Sequence, residues 1–400
     1  MKKIRIHFQR YVLFTIFSFV ASLNSAYAKE ISLAYSLENY DFTLIFDEFT
    51  AQTGIKIKVA SFKNNDLKSE LIQRANIKAL PDAVIVPSDF TGLGSINVST
   101  ISKDLMNADI RKAAINSTLV DNKSRGIPIV YGNHLLLYYN KNIIANAGVT
   151  WAEILQQGGS INEDQNLIAW SYLEMYWFIP FLGTFGEFPF VDNQVLLNTK
   201  GMVQALKWYK NLSISNIVDL ECDYNCSQSQ FMAGTLAYTV NGSWAYGQYK
   251  KSLGDSLGLA LLPRLGDKKM KPYFSSHVLA FPGNGLYGPK QKELKLLATF
   301  FQSEKVQEMI WDTLKSIPTN SKTLAKIMSK GNADFDVLMT QLEQSEPMPN
   351  EKNMAIVWEA MLKGTNRYLA DVLDAEAAAR YMQHVAEKSI GNSSIRNDND

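Results

Sequence analysis

"ISLAYSLENYDFTLIFDEFTAQTGIKIKV", residues 31–59, holds three elements in a row. "ISLAY" (31–35) is an apolar run of strand length. Phe42, Ile45, Phe46 and Phe49 then recur at helical spacing, and Gly54 supplies the residue that ends a helix most readily. "IKIKV" (55–59) alternates apolar and basic residues, the pattern of a strand with one face on a core. Further along, "DLKSELIQRAN" (66–76) predicts a second helix and "DAVIV" (82–86) a buried strand. Strands alternating with helices predict a parallel sheet wrapped on both faces, an α/β fold. Ligands of such sheets sit beyond the carboxyl ends of the strands, so the turns after Tyr35 and Val86 are the first candidate positions.

The chain has 400 residues. Lys2, Lys3, Arg5 and Arg10 form a basic start, Tyr11 to Ala21 is a short apolar run, and Ala26-Tyr27-Ala28 has the small-x-small form of a signal-peptidase site. The apolar run is too short to span a hydrocarbon core of roughly 20 residues. Residues 1–28 are therefore expected to be a secretory signal, cleaved near Ala28 to release a soluble protein into a periplasm-like space. The remaining length exceeds the roughly 250–300 residues at which one core stops growing, which predicts two domains. Of 40 Lys+Arg and 39 Asp+Glu, the signal holds four bases and no acid, leaving 36 against 39. No block of like charge stands out, which argues against nucleic acid as a partner.

Cys222 and Cys226, in "ECDYNCSQ", are the two cysteines. An oxidising compartment favours a disulfide between them; a metal or redox pair is the alternative, with no nearby His to complete it. The tail "GNSSIRNDND" (391–400) is polar and aperiodic and is expected to be disordered. No P-loop, G-x-S-x-G or H-E-x-x-H occurs. No enzyme activity, cofactor or metal is expected.

A second block starts with the strand "HLLLYYNK" (134–141). Thr150-Trp151-Ala152-Glu153 then has the form of a capping box opening a helix. "NTKGMVQALKWYKNL" (198–212) is amphipathic, "TLAYTV" (235–240) and "LGLALLP" (257–263) read as strands, and the chain from Gly288 onward is mostly helical. Six segments, in order, resemble the maltose-binding-protein-like solute-binding proteins of ABC importers. These are "FTAQTGIKIKV", "LPDAVIV", "GIPIVYGNHLLLYYNK", "TWAEI", "FMAGTLAYTVNGSWAY" and "EPMPNEKNMAIVWEAM". The resemblance implies a two-lobed periplasmic-binding-protein fold of type II, with parallel and mixed sheets flanked by helices and a hinge between the lobes. It places the first lobe at 29–133 and 277–335 and the second at 134–276 and 336–390. It also implies a monomer that closes on a small solute and meets a membrane permease.

Carried over position by position, the resemblance puts Trp244, in "NGSWAY", and Trp358 on the family's sugar-stacking tryptophans. Tyr176 falls on a further aromatic contact and Glu174 on its accompanying carboxylate. Asp89 and Glu38 fall on acids of the first-lobe turns, and Asn133 on a carboxylate of the first crossing. Flat rings suit the C–H face of a pyranose, and carboxylates accept its hydroxyl hydrogen bonds. A tryptophan among apolar neighbours is more often core than contact, and His134 and His277, near the crossings, read as packed residues. Val86, Asn39 and Phe90 stand where maltodextrin binders carry a Trp, a Lys and an Arg, which points to a saccharide other than maltodextrin. Acids beside aromatics also suit the ammonium groups of a polyamine. Glu174 and Asp89 as the acid and base of a glycosidase form the reading from another class.

Overall fold

The computed structural model describes residues 29–35, 40–215 and 217–397. The expected signal 1–28, with its cleavage site, lies outside them, as do Asn39 and the candidate Glu38. Strand β1 (Glu30–Tyr35) pairs in parallel with both β2 (Lys56–Ser61) and β3 (Ala83–Pro87). Between β1 and β2, helix α1 (Thr43–Thr53) buries Ile45, Phe46 and Phe49. It ends where Gly54 takes a left-handed φ of 71° and its N–H closes on the Thr50 carbonyl.

Two sheets organise the chain. The strands β4 (Ile127–Gly132) and β5 (Leu135–Asn140) are consecutive yet belong to different sheets. Four more strands complete the second sheet and begin the return: β6 (Asn166–Ala169), β7 (Leu236–Gly242), β8 (Leu257–Ala260) and β9 (Tyr273–Ala280). The first sheet runs β9-β3-β1-β2, with β4 also on β9; β9 is antiparallel to β3 and β4. A short β10 (Glu346–Pro347) extends it on β9. The second sheet runs β8-β5-β7-β6. This is an α/β fold of two lobes, each a mixed sheet with helices packed on it.

The passage between lobes is abrupt. Gly132 at φ 123° and Asn133 at φ 43° turn the chain, and Leu135 already pairs with Gly242 in the second sheet. The Asn133 side-chain amide donates to Ser275 Oγ on β9 at 2.8 Å, tying the first crossing to the second. A third strap comes from Asn350. Ser88 Oγ donates to its Oδ1 at 2.9 Å, and its Nδ2 donates to the Ser117 carbonyl at 2.7 Å. Gly92 lies so close that a Cβ there would stand 2.2 Å from the Asn350 carbonyl oxygen. Only glycine permits that approach.

The capping box at residue 150 forms: Thr150 Oγ1 accepts from the Glu153 N–H at 3.2 Å. Cys222 and Cys226 are joined by a disulfide. One expectation differs. The last helix runs from Ala375 to Asn397, through much of the tail expected to be disordered, because no proline interrupts it and its first part is anchored by Ala375, Ala378, Ala379 and Met382 in the second-lobe core. The helix Ala333–Glu343 packs on β5 and β8 of the second sheet. Among the described residues no helix is long and apolar enough to cross a membrane.

Candidate functional site

The carboxyl end of β7 delivers Trp244. After Gly242 the chain makes one tight turn, Ser243–Ala245, pinned by the Ser243 N–H on the His134 carbonyl at 2.9 Å. The indole then folds back over Gly242. A Cβ on that glycine would stand 2.0 Å from the ring. The glycine is therefore fixed by the room the indole needs, since its φ of −79° suits any residue. Trp244 is half-buried and touches apolar clusters that draw on both sheets. Gly242→Ala is expected to push the ring out of place, an overpacking change of about 1–3 kcal/mol. Titration with a bound solute should show roughly tenfold weaker affinity, with far-UV circular dichroism unchanged.

Around Trp244 the structure gathers an aromatic group. Trp177 meets it edge-on at 6.0 Å, and Tyr176 lies 6.3 Å from it and 6.4 Å from Trp358. Tyr273 meets Trp358 edge-on at 6.2 Å and stacks on Phe188 at 5.2 Å. Tyr176 and Trp177 come from the helix Met175–Gly183, and Trp358 from the helix Met354–Leu369. The Trp177 Nε1 donates to the Val240 carbonyl at 2.8 Å, which fixes that ring to β7. The Tyr176 hydroxyl lies on the Asn133 carbonyl and 3.1 Å from the Tyr273 carbonyl, so it reads the position of two lobe crossings at once.

The acids lie at the edges. Asp89 sits in the turn after β3; burial pushes its carboxyl up, and the Lys68 charge offsets this in part. Its charge is felt by Tyr176 of the other lobe, whose hydroxyl pKa is raised first by burial and then by Asp89. Glu174 precedes the Tyr176 helix and keeps more than a third of its surface exposed, yet burial still pushes its carboxyl up, the behaviour of an acid on the rim of a recess. Neither acid has a cation within ion-pair distance among the described residues.

Trp244, Trp358 and Tyr176 are thus brought together, with Asn133 joined to them through Tyr176 and Asp89 close by; Glu174 flanks the group. Val86 is a core residue, 1% exposed, and Phe90 is buried with Lys68 Nζ 5.9 Å from its ring centre. Sequence reasoning missed Tyr40, Tyr224 and Tyr273. Tyr40 is buried against His277, ring centres 6.1 Å apart, and Tyr224 accepts a hydrogen bond from the Trp244 Nε1 at 3.1 Å. The one signal for Tyr224 was its place between the two cysteines. Two open cavities, of about 360 and 310 Å³, flank this region and include none of the grouped rings Trp244, Tyr176 and Trp358. No cluster of metal-ligating side chains exists among the described residues.

Residues 45–336 match the model of a family described as bacterial extracellular solute-binding protein. The chain is similar to the maltooligosaccharide ABC transporter solute-binding lipoproteins of two strains of Streptococcus pneumoniae, at 23% identity over 325 residues, 75% of this chain and 74% of theirs. Among solved structures it is similar to the maltose/maltodextrin-binding domain MalE from Bdellovibrio bacteriovorus bound to maltotriose. That match has a TM-score of 0.81 at 23% identity, covering 90% of this chain and 99% of the other, and shows a shared fold.

Proposed function

Since the chain belongs to the bacterial extracellular solute-binding protein family, a family of binding proteins and not enzymes, we propose that it captures a mono- or oligosaccharide between its lobes and hands it to the permease of an ABC importer. The observation that supports this most is the run Trp244–Tyr176–Trp358, three rings from three elements, with Tyr176 in the middle 6.3 Å from Trp244 and 6.4 Å from Trp358. Aromatic walls with a few placed polar groups are what a small-molecule cleft requires. Asp89, Glu174 and Asn133 are the polar groups, with Glu38, which the family resemblance implies, as a further acid. Hinge closure would act through the crossings at Asn133 and Ser275, which a single hydrogen bond couples.

Val86, Asn39 and Phe90 argue for a saccharide other than maltodextrin, because a stacking ring and two cations are missing there. A polyamine is the second reading, favoured by the unpaired Asp89 and Glu174. The working site is the periplasm, after cleavage near Ala28, and the protein acts as a monomer without a cofactor.

A thermal-shift panel of saccharides and polyamines tests both readings, because a solute that binds only the folded chain raises its apparent stability by mass action. A saccharide at 100 times its dissociation constant should stabilise by about 2.7 kcal/mol. A shift with spermidine or putrescine and none with any saccharide would transfer the assignment to amines. Release of cleaved sugar during incubation would contradict a receptor altogether.

A further inference from the structure

The disulfide encloses one residue of consequence. Tyr224 opens the helix Tyr224–Met232, and Cys222 and Cys226 flank it on both sides. Asp223 caps the same turn, its Oδ1 accepting from the Cys226 N–H at 2.8 Å. Gln230 Nε2 approaches Cys226 Sγ at 3.2 Å from the next turn, and Cys222 is 2% exposed. The first residue of a helix has no intrahelical bond on its N–H and frays readily. Here a cap and a covalent ring both hold it.

The phenol so held meets the edge of the Trp244 indole. Its oxygen accepts from the Trp244 Nε1 at 3.1 Å and has Gln228 Nε2 at 3.4 Å. Its ring meets Trp177 edge-on at 6.1 Å. The indole N–H is a donor only, so this bond sets the rotation of the ring about its side-chain torsions. Gly242 leaves the indole room to lie flat on the backbone, and Tyr224 decides which way its edge turns.

We propose that Tyr224 is a positioning residue for Trp244, and that the Cys222–Cys226 disulfide serves to hold Tyr224 for that purpose. A bridge across so few residues removes little chain entropy compared with one closing a long loop, so global stability is a weak reason for it. Local placement is the stronger one. The consequence for affinity rests on the saccharide reading above; the consequence for the indole does not.

The experiment uses the full chain labelled with 5-fluorotryptophan, with the Trp244 fluorine line assigned by Trp244→Phe. Tyr224→Phe keeps the ring and removes only the hydroxyl; Cys222→Ser/Cys226→Ser removes the bridge. Both are expected to move the Trp244 line in the solute-free protein while the Trp170 line, deep in the second-lobe core, stays in place. Chitobiose, cellobiose, raffinose and maltotriose are then titrated calorimetrically. For whichever of them wild type binds, both variants should weaken affinity about five- to tenfold, the loss of one hydrogen bond's worth of ordering. An unmoved Trp244 line in Tyr224→Phe overturns the positioning role, as does a dissociation constant in Tyr224→Phe equal to that of a wild type that binds. A line that moves in Tyr224→Phe and not in the double serine variant overturns the purpose given to the disulfide. If the line moves in both and wild type binds none of the four, the positioning role stands and it is the saccharide reading that fails.

Discussion

Trp244→Ala is expected to raise the dissociation constant for the solute by about 30- to 100-fold, roughly 2–3 kcal/mol, the range of an aromatic anchor at the centre of a contact. The ring touches apolar clusters of both sheets, so its removal also costs stability. Those two effects separate on comparison with Trp244→Phe. Phenylalanine retains much of the packing but loses the Nε1 bond to Tyr224 and part of the stacking face. If Trp244 grips solute, affinity falls in the order wild type, Phe, Ala, and the loss in Ala far exceeds that in a core variant such as Trp170→Phe. Calorimetric titration and thermal denaturation of the same four proteins decide it. An affinity in Trp244→Ala within about twofold of wild type (roughly 0.4 kcal/mol) would make the ring a packing residue alone.

The first lobe's β-α-β start could be read from the chain because each signal there was local. The i, i+3, i+4 recurrence of Phe42, Ile45, Phe46 and Phe49 marks a helix on a core, and Gly54 adopts the left-handed turn that its lack of a Cβ makes cheap. The capping box at Thr150 and Glu153 was equally local and formed as spelled. What no local pattern contained was which sheet each strand joins. "GIPIVYGNHLLLYYNK" reads as one apolar stretch, yet Gly132 and Asn133 divide it between two sheets, and that division depends on partners such as Ser275, more than 140 residues away. The helical end of the chain escaped for a related reason. Residues 391–397 are polar, but they continue a helix whose beginning is set by alanines packed in the core.

The candidate site was legible through the family's positions and not through physics. A tryptophan after Asn-Gly-Ser has no sequence property that separates a cleft wall from a core ring. Its meaning comes from Tyr176 and Trp358, which arrive on helices 68 residues before and 114 residues after it. Tyr224 and Tyr273 were invisible for the same reason, since each is defined by one contact across the fold. Gly242 is the exception in kind. It sits beside the tryptophan in sequence, and the 2.0 Å clearance explains why the pair Gly-x-Trp belongs together.

The two histidines at the crossings predict acid sensitivity in the range where few other groups titrate. His134 is fully buried, and His277 is 2% exposed with its Nδ1 unpaired among the described residues. Burial pushes each pKa down from the ordinary 6.5 to about 3, the carbonyls of Leu338 and Gly132 offsetting only part of it for His134. A histidine whose folded pKa is depressed contributes stability that is whole above the unfolded value and is lost as pH falls from 6.5 towards 3, because the unfolded chain takes up the proton first. At pH 5 the loss is about 2 kcal/mol for each ring and about 4 kcal/mol for both. Asp89 and Glu174, with carboxyls pushed up by burial, act in the opposite sense, their contribution growing as pH falls. Denaturant unfolding of the solute-free protein at pH 7.5, 6.5, 6 and 5 should therefore show stability falling steadily below pH 6.5. His134→Gln and His277→Gln should each remove about half of that slope, and a wild type flat between pH 7.5 and 5 would mean that both rings protonate in place. Because Asn133 joins the two crossings through Ser275, the same proton uptake would strike the segment that passes between the two sheets.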